Sequence, residues 1–83
     1  ILKTALVSGT TSGLGKALAR KLLDDGFRVI GVNRRADVAL ESRANFKNYV
    51  LDITSTEEVA RLLDELRSQG IEIDLFLLNA GIT

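Results

Sequence analysis

The chain has 83 residues, of which 46% are hydrophobic, and its eleven basic residues balance eleven acidic ones. It contains no His, Cys, Met, Trp or Pro, which excludes a disulfide framework, a thiol nucleophile and a Ser-His-Asp triad and removes the usual zinc ligands. The zero net charge argues against nucleic acid or an anionic membrane as a partner, and no apolar run is long enough to span a bilayer. We therefore expect one small cytoplasmic unit.

The first half of the chain predicts a strand, a helix and a second strand. Residues 2–7 are mostly apolar and end at a Ser-Gly turn signal, which is typical of a short buried strand. An apolar helix face then recurs every four residues, at Leu14, Leu18 and Leu22. Gly26 ends this helix, and the β-branched residues of the segment 27–32 predict the second strand.

The second half predicts two further strands and a second amphipathic helix. Residues 36–44 follow no single period and indicate a short helix or a loop, whereas residues 47–51 predict a third strand. Ser55 and Glu58 have the spacing of a capping box, in which each side chain bonds the other residue's backbone N–H. The helix that follows has one apolar face, and Gly70 ends it. The apolar positions of that face are Val59, Leu62, Leu63 and Leu66. Residues 73–78 predict a fourth strand.

Strands that alternate with helices predict a parallel sheet with right-handed crossovers. We therefore expect a doubly wound, Rossmann-type α/β fold with strand order 3-2-1-4. The fourth strand, residues 73–78, is apolar on both faces, as in the middle of a parallel sheet, and would need cover. Because the chain also begins at Ile1 rather than Met, we expect it to be part of a longer protein, with a C-terminal half or a second copy covering that strand.

A glycine-rich segment, Ser-Gly-Thr-Thr-Ser-Gly-Leu-Gly at residues 8–15, joins the first strand to the first helix. Gly9 permits a tight turn, Gly13 removes a Cβ where a phosphate would approach, and Gly15 lets the helix lie close to the sheet. The helix N-terminus and the hydroxyls of the loop suit a pyrophosphate. The alternative is a flexible turn that happens to contain three glycines. The position of the glycine-rich segment between a strand and a helix favours phosphate binding over that alternative.

Two other phosphate motifs do not fit. A P-loop requires G-x-x-x-x-G-K followed by Ser or Thr, but Leu14 breaks the spacing and Ala17 stands where the hydroxyl residue should be. The six-residue fingerprint G-x-G-x-x-G also fails, because the spacing here is G-x-x-x-G-x-G.

That spacing resembles the glycine motif T-G-x-x-x-G-x-G of the short-chain dehydrogenase/reductase family, with Ser8 in place of the Thr. Two further segments resemble family signatures: Asp52-Ile53 after the third strand, and Asn79-Ala80-Gly81, which matches the last three residues of N-N-A-G. The resemblance extends over the whole chain but over only the N-terminal half of a usual member. It implies an oxidoreductase that transfers hydride between a nicotinamide dinucleotide and a carbonyl or alcohol substrate.

The resemblance also implies roles for individual residues. The glycine loop would hold the dinucleotide phosphates, Asp52 and the Ile53 backbone would contact adenine, and residues 79–81 would border the ribose. We include all positions of the loop among the candidates: Gly9, Thr10, Thr11, Ser12, Gly13, Leu14 and Gly15. Asp52 could instead be a helix-entry residue, and residues 79–81 a simple turn.

The end of the second strand distinguishes the two dinucleotides. An acidic residue about 20 positions beyond the glycine loop binds the ribose hydroxyls of NAD, whereas an arginine favours the 2′-phosphate of NADP. Here Asn33 stands 18 residues after Gly15 and is followed by Arg34 and Arg35. A neutral residue with two guanidinium groups favours NADP. The alternative is that both arginines are solvated surface charges, and Asp37 could pair with one of them.

The family's catalytic Ser, Tyr and Lys, with Tyr-x-x-x-Lys spacing, are not found in these 83 residues. The single tyrosine, Tyr49, has no Lys four residues later and falls in the third strand, where an aromatic residue ordinarily packs. We interpret the chain as the cofactor-binding part of an NADP-dependent oxidoreductase. Two alternatives stay open: a non-catalytic NADP-binding sensor, and a truncated fragment without activity.

Overall fold

Four strands and two helices make up the fold in the computed structural model, which describes residues 2–11, 13–36 and 40–78. In chain order the elements are β1 (Thr4–Ser8), α1 (Gly13–Asp24), β2 (Arg28–Asn33), β3 (Phe46–Val50), α2 (Thr56–Ser68) and β4 (Leu75–Leu77). Within the described ranges, no helix is long and apolar enough to cross a membrane.

The four strands form one parallel sheet in the order β3-β2-β1-β4, which confirms the predicted Rossmann-type topology. Residues 36–44 were predicted to form a short helix or a loop. Residues 40–45 form turns and a bend in the structure, so the described part of this connection is a loop. Residues 37–39 lie outside the described residues. Leu40 fills part of the core that a crossover helix would otherwise supply.

Each face of the sheet is covered by one helix, because successive side chains of a strand point to opposite faces. The face toward α1 carries the core residues Ala5, Val7, Ala19, Leu23, Val29, Leu40 and Phe46. The face toward α2 carries the core residues Leu6, Ile30, Val32, Leu62 and Leu66. The two central strands, β1 and β2, contribute to both clusters, which explains why the interior positions of both strands carry no polar side chain.

Helix α1 buries a face that is offset by one position from the predicted stripe of Leu14, Leu18 and Leu22. The buried residues are Gly15, Ala19 and Leu23, whereas Leu14 is 56% exposed and Leu22 is only partly buried. The predicted stripe is therefore wrong by one position. Small residues at the contact let the helix backbone approach the sheet, and the larger leucines then lie beside that line of contact.

The start of α2 follows half of the predicted capping box. Ser55 Oγ accepts a hydrogen bond from the Glu58 N–H (3.3 Å), as predicted. The Glu58 carboxylate, however, accepts from the Asp52 N–H (3.3 Å), because the Ser55 N–H already donates to the Asp52 carbonyl (2.9 Å). Glu58 thus connects the helix to the end of β3 rather than closing the box.

Strand β4 is shorter than predicted, with three residues instead of the six of 73–78. Its entry is fixed by Asp74, whose carboxylate accepts from the Thr4 N–H (2.8 Å) and whose N–H donates to the Thr4 carbonyl (2.8 Å). Beyond it, Phe76 is 52% exposed and Leu75 and Leu78 are also exposed. The apolar pattern therefore identifies an apolar strand correctly. Leu77 packs against the core on the α1 face, whereas Leu75, Phe76 and Leu78 are left exposed by the described residues.

Candidate functional site

The candidate site lies at the carboxyl edge of the sheet, where all four parallel strands end. Strand β1 ends at Ser8, β2 at Asn33 and β3 at Val50, so the segments that follow them meet at this edge. The first contact is a backbone hydrogen bond from the Gly9 N–H to the Val32 carbonyl (3.1 Å). Ligands of doubly wound sheets bind in the crevice outside such carboxyl ends.

The glycine loop takes backbone conformations that only glycine adopts readily. Gly9 has φ 72° and Gly13 has φ 61°, both in the left-handed region. Apart from its chain neighbours and its own helix, no atom of the described residues lies within 4 Å of the Cβ position at Gly13, so the backbone there faces open space. Helix α1 begins at Gly13 and has no acidic residue in its first turn. An anion could therefore approach this helix end without like-charge repulsion.

Asn33, at the end of β2, makes a hydrogen-bonded link to the glycine loop and to β3. Its Oδ1 accepts from the Thr10 N–H (2.7 Å), and its Nδ2 donates to Thr10 Oγ1 (2.8 Å) and to Asn48 Oδ1 (2.5 Å). Asn33 is 6% exposed, and Thr10 is fully buried. The contact of Asn33 with a cofactor stays a prediction, and the structure places its amide among protein groups.

The sheet beneath this link is tightly packed at Gly31. A Cβ at Gly31 would lie 2.6 Å from Phe46 Cζ, 2.8 Å from Phe46 Cε1 and 3.3 Å from Thr10 Oγ1. Gly31 faces Asn48 in the β2–β3 register, so the Phe46 ring and the Asn48 amide occupy one face of the sheet in succession. The missing side chain at Gly31 is what makes room for the ring and for Thr10.

The two predicted arginines stand at the mouth of the site. The Arg34 side chain is 77% exposed, and its Nη2 lies 3.8 Å from Asp52 Oδ1. Arg35 is also exposed, and its carbonyl accepts a long hydrogen bond (3.5 Å) from Asn48 Nδ2. The pairing that the sequence suggested, with Asp37, falls outside the described residues. Asp52 is the acidic partner that the structure gives to Arg34.

Asp52 begins the segment between β3 and α2. Its Oδ1 accepts from Thr54 Oγ1 (2.6 Å) and from the Thr54 N–H (2.9 Å). These hydrogen bonds, with a smaller contribution from the Arg34 charge, hold the pKa of Asp52 below its usual 3.8. The carboxylate therefore stays ionised at the carboxyl edge, and the helix-entry interpretation of Asp52 has direct support in these bonds. Ile53 is half-buried and packs against the core on the α2 face.

Of the remaining predicted residues, the structure describes some and not others. Thr11 is half-buried, Leu14 is exposed and Gly15 is buried against the sheet. Ser12, Asn79, Ala80 and Gly81 lie outside the described residues.

Tyr49 lies away from the glycine loop, half-buried on the α2 face of β3. Burial raises the pKa of its phenol, and the negative charge of Glu65 and a hydrogen bond to it add to that rise. The Lys47 ammonium lies 5.7 Å from the ring centroid. Tyr49 is therefore a neutral packing residue, which is the interpretation that the sequence favoured.

One residue of the edge was missed by sequence reasoning. Asn48 binds Asn33 and Arg35, yet its place in the third strand marks it only as an ordinary strand position. A signal was present, because asparagine is depleted in strands and a polar side chain in a sheet needs partners. That signal indicates that Asn48 needs a hydrogen-bonding partner, but it does not identify Asn33 as that partner.

The chain was compared with known proteins. Residues 3–83 match the family model described as short chain dehydrogenase. The chain belongs to the short-chain dehydrogenase family. The match covers nearly all of the chain and includes the glycine loop, the end of β2 and the segment after β3.

Two curated relatives and one solved structure illustrate the likeness. A probable NADP-dependent dehydrogenase of Haemophilus influenzae is 37% identical over 95% of this chain and 33% of that protein. The 3-oxoacyl-acyl-carrier-protein reductase of Buchnera aphidicola is 35% identical over 98% of this chain and 35% of that protein. A short-chain dehydrogenase of Leptospira borgpetersenii, solved with bound NAD+, superimposes with a TM-score of 0.89 over 99% of this chain and 32% of its own, at 24% identity.

These comparisons have two consequences. The chain spans about a third of the length of the curated relatives it matches. The relatives are named as dehydrogenases and reductases, so the family is one of oxidoreductases. One relative is named as NADP-dependent and the Leptospira structure holds NAD+, so these likenesses do not distinguish the two dinucleotides.

Proposed function

We propose that this chain is the dinucleotide-binding part of an NADP-dependent oxidoreductase, which transfers hydride between NADP(H) and a carbonyl or alcohol substrate. The observation that carries the proposal is the end of β2, where an uncharged Asn33 is followed by two exposed arginines. A carboxylate at this point would favour the ribose hydroxyls of NAD. Guanidinium groups instead favour a 2′-phosphate.

Arg34 is the better placed of the two side chains for this task. It is 77% exposed beside the carboxyl edge, and its contact with Asp52 is long at 3.8 Å. A solvated ion pair of that length is weak, so a doubly charged phosphate could replace the carboxylate as its partner. Asp52, held by Thr54, would stay in place when Arg34 moves.

The glycine loop fits the pyrophosphate of the same ligand. Open space at Gly13 allows the backbone to approach a phosphate, and the unopposed N-terminus of α1 would interact favourably with its charge. The nicotinamide ring of the cofactor supplies or accepts the hydride when bound. The residues of this chain bind and orient the dinucleotide, and we assign them no proton transfer, because the one tyrosine is packed beside α2.

The test is the affinity of an Arg34→Ala variant for the two dinucleotides. Loss of a charge-assisted contact should raise the dissociation constant for NADP by about 10- to 100-fold, with little change for NAD. Isothermal titration calorimetry of the chain with each dinucleotide measures both constants at one ionic strength. Arg67→Ala is the matched control, since Arg67 is exposed on the last turn of α2 with a similarly weak pair to Asp64 (3.9 Å).

Three results would contradict the proposal. An equal loss of affinity for NAD and NADP in Arg34→Ala would mean that Arg34 does not contact the 2′-phosphate. A preference of the unsubstituted chain for NAD would remove the assignment of NADP. A failure to bind either dinucleotide would remove the assignment of the site.

A further inference from the structure

We propose that Asn33 is a positioning residue for the glycine loop, held in its orientation by Asn48, and that it does not itself select between NAD and NADP. The inference rests on the proposed function, since the loop is taken to bind the dinucleotide. It gives Asn33 a different role from the ribose contact that its place at the end of β2 suggests. It also assigns a role to Asn48.

The orientation of the Asn33 amide follows from its partners. The Thr10 N–H can only donate, so the atom 2.7 Å from it must be the amide oxygen. The amide nitrogen then faces two oxygens, Thr10 Oγ1 and Asn48 Oδ1, and both of its hydrogens are used. With 6% of the residue exposed, no donor is left to reach a ribose hydroxyl.

Both ends of the Asn33 amide bind the same loop residue. Thr10 is held through its backbone N–H and its hydroxyl, and it directly follows Gly9, whose left-handed backbone begins the loop. Twenty-three positions separate Thr10 from Asn33, so the pair ties the loop to the next strand of the sheet. A glycine-rich loop gains conformational entropy when such a tie is lost, and that freedom must be removed again on ligand binding.

Asn48 completes the arrangement from the edge strand. Its oxygen accepts from Asn33, and its nitrogen donates to the Arg35 carbonyl, which fixes which way the second amide faces. The chain of bonds therefore runs from Thr10 through Asn33 and Asn48 to the backbone of the arginine segment. The loop for the pyrophosphate and the segment proposed for the 2′-phosphate are held at a set distance by two buried or half-buried amides.

The first test needs no cofactor. Hydrogen exchange of the Thr10 amide, followed by NMR on the ligand-free chain, reports its bond to Asn33. In Asn33→Ala we expect exchange at Thr10 to be about tenfold faster, with the amides of β1 and β2 otherwise unchanged. Asn45→Ala is the control, because Asn45 is an exposed asparagine before β3. Equal exchange at Thr10 in the unsubstituted chain and in Asn33→Ala would overturn the proposal.

A pair of substitutions at Asn48 keeps the test decisive if Asn33→Ala fails to fold. Asn48→Asp retains an acceptor for Asn33 Nδ2 and should keep slow exchange at Thr10, whereas Asn48→Ala removes the acceptor and should speed exchange by about threefold to tenfold. Rescue by the aspartate distinguishes a hydrogen-bonding role from a packing role. Identical exchange at Thr10 in Asn48→Asp and Asn48→Ala would overturn the part assigned to Asn48.

The second test separates positioning from selection. In Asn33→Ala the dissociation constants for NADP and NAD should both rise by the same factor, about five- to tenfold, so their ratio stays unchanged. A rise for NADP alone would show that Asn33 reads the ribose phosphate and would overturn the proposal. If the unsubstituted chain binds neither dinucleotide, the proposed function fails, while the exchange of Thr10 still decides whether Asn33 holds the loop.

Discussion

The carboxyl corner of the sheet, formed by Thr10, Asn33 and Asn48, and the edge strand β4 depart from ordinary burial in opposite directions. In the corner, polar side chains are buried: Asn33 is 6% exposed, and each of its amide atoms has a partner. At the edge, apolar side chains are exposed: Phe76 is 52% open to solvent and Leu78 is 59% open. Neither burying polar side chains nor exposing apolar ones stabilises the folded state of this chain by itself.

The two regions point to different roles. Buried polar groups are maintained only when every hydrogen bond is made, so the corner specifies one geometry for the glycine loop. An exposed apolar strand instead predicts a contact with another part of a protein. That β4 is covered by a further part of a longer protein, or by a second copy, stays a prediction. The two regions should accordingly respond differently to substitution.

The largest effect is expected beneath the corner, at Gly31. A methyl group there would lie 2.6 Å from the buried Phe46 ring, so Gly31→Ala should lower the free energy of unfolding by about 1–3 kcal/mol through overpacking. Urea denaturation followed by circular dichroism measures the change.

The matching control for Gly31→Ala removes the ring rather than the glycine. In a Phe46→Leu background the added methyl meets a smaller side chain, so the further loss caused by Gly31→Ala should fall well below its value in the unsubstituted chain. Equal losses in both backgrounds would mean that the Phe46 ring is not what makes the alanine costly.

The smaller effect on stability is expected at the other region, at Phe76. Phe76→Asp should change the free energy of unfolding by less than about 1 kcal/mol, because half of the ring is already in solvent. Its effect should appear in self-association, which we expect the substitution to reduce when the chain is studied by sedimentation velocity over a range of concentrations.

Val50→Asp is the control for Phe76→Asp, since Val50 is an exposed apolar residue at the end of the opposite edge strand, β3. Val50 is the one exposed large apolar residue of β3, whereas Leu75, Phe76 and Leu78 are exposed together, so the substitution of Val50 should leave association unchanged. Equal self-association of the unsubstituted chain and Phe76→Asp would show that β4 does not mediate association. The proposed contrast between β4 and the corner would then be wrong.

Much of the fold could be predicted from local patterns. The glycines at 9, 26 and 70 mark turns with positive φ, and the apolar runs mark the strands, for which the Rossmann-type interpretation supplies the order that the structure has. The face of α1 could not be predicted from its leucines. It depends on how closely a helix approaches the sheet, and that is decided by small residues, Gly15 and Ala19, which carry little hydropathy signal.

The candidate site was predictable as a location but not as a set of bonds. The glycine spacing and the arginines after β2 identify the carboxyl edge. The link from Asn33 to Asn48 depends on the register of β2 against β3, which places Asn48 opposite Gly31. The register depends on how two distant segments of the chain pair, so the sequence around Asn48 does not identify its hydrogen-bonding partner. The half-formed capping box has the same origin, since Glu58 is drawn to Asp52 by the end of β3.

The most direct test of whether the glycine loop and the arginine segment at the carboxyl edge, and not strand β4, bind a dinucleotide is NMR titration of the isotope-labelled chain with NADP. Saturable shifts are expected for the backbone amides of Gly9, Thr11, Gly13, Arg34 and Arg35. The amides of Leu75 and Phe76 should stay unshifted. Shifts centred on β4, or no saturable shift in the glycine loop and the arginine segment, would contradict the proposed site.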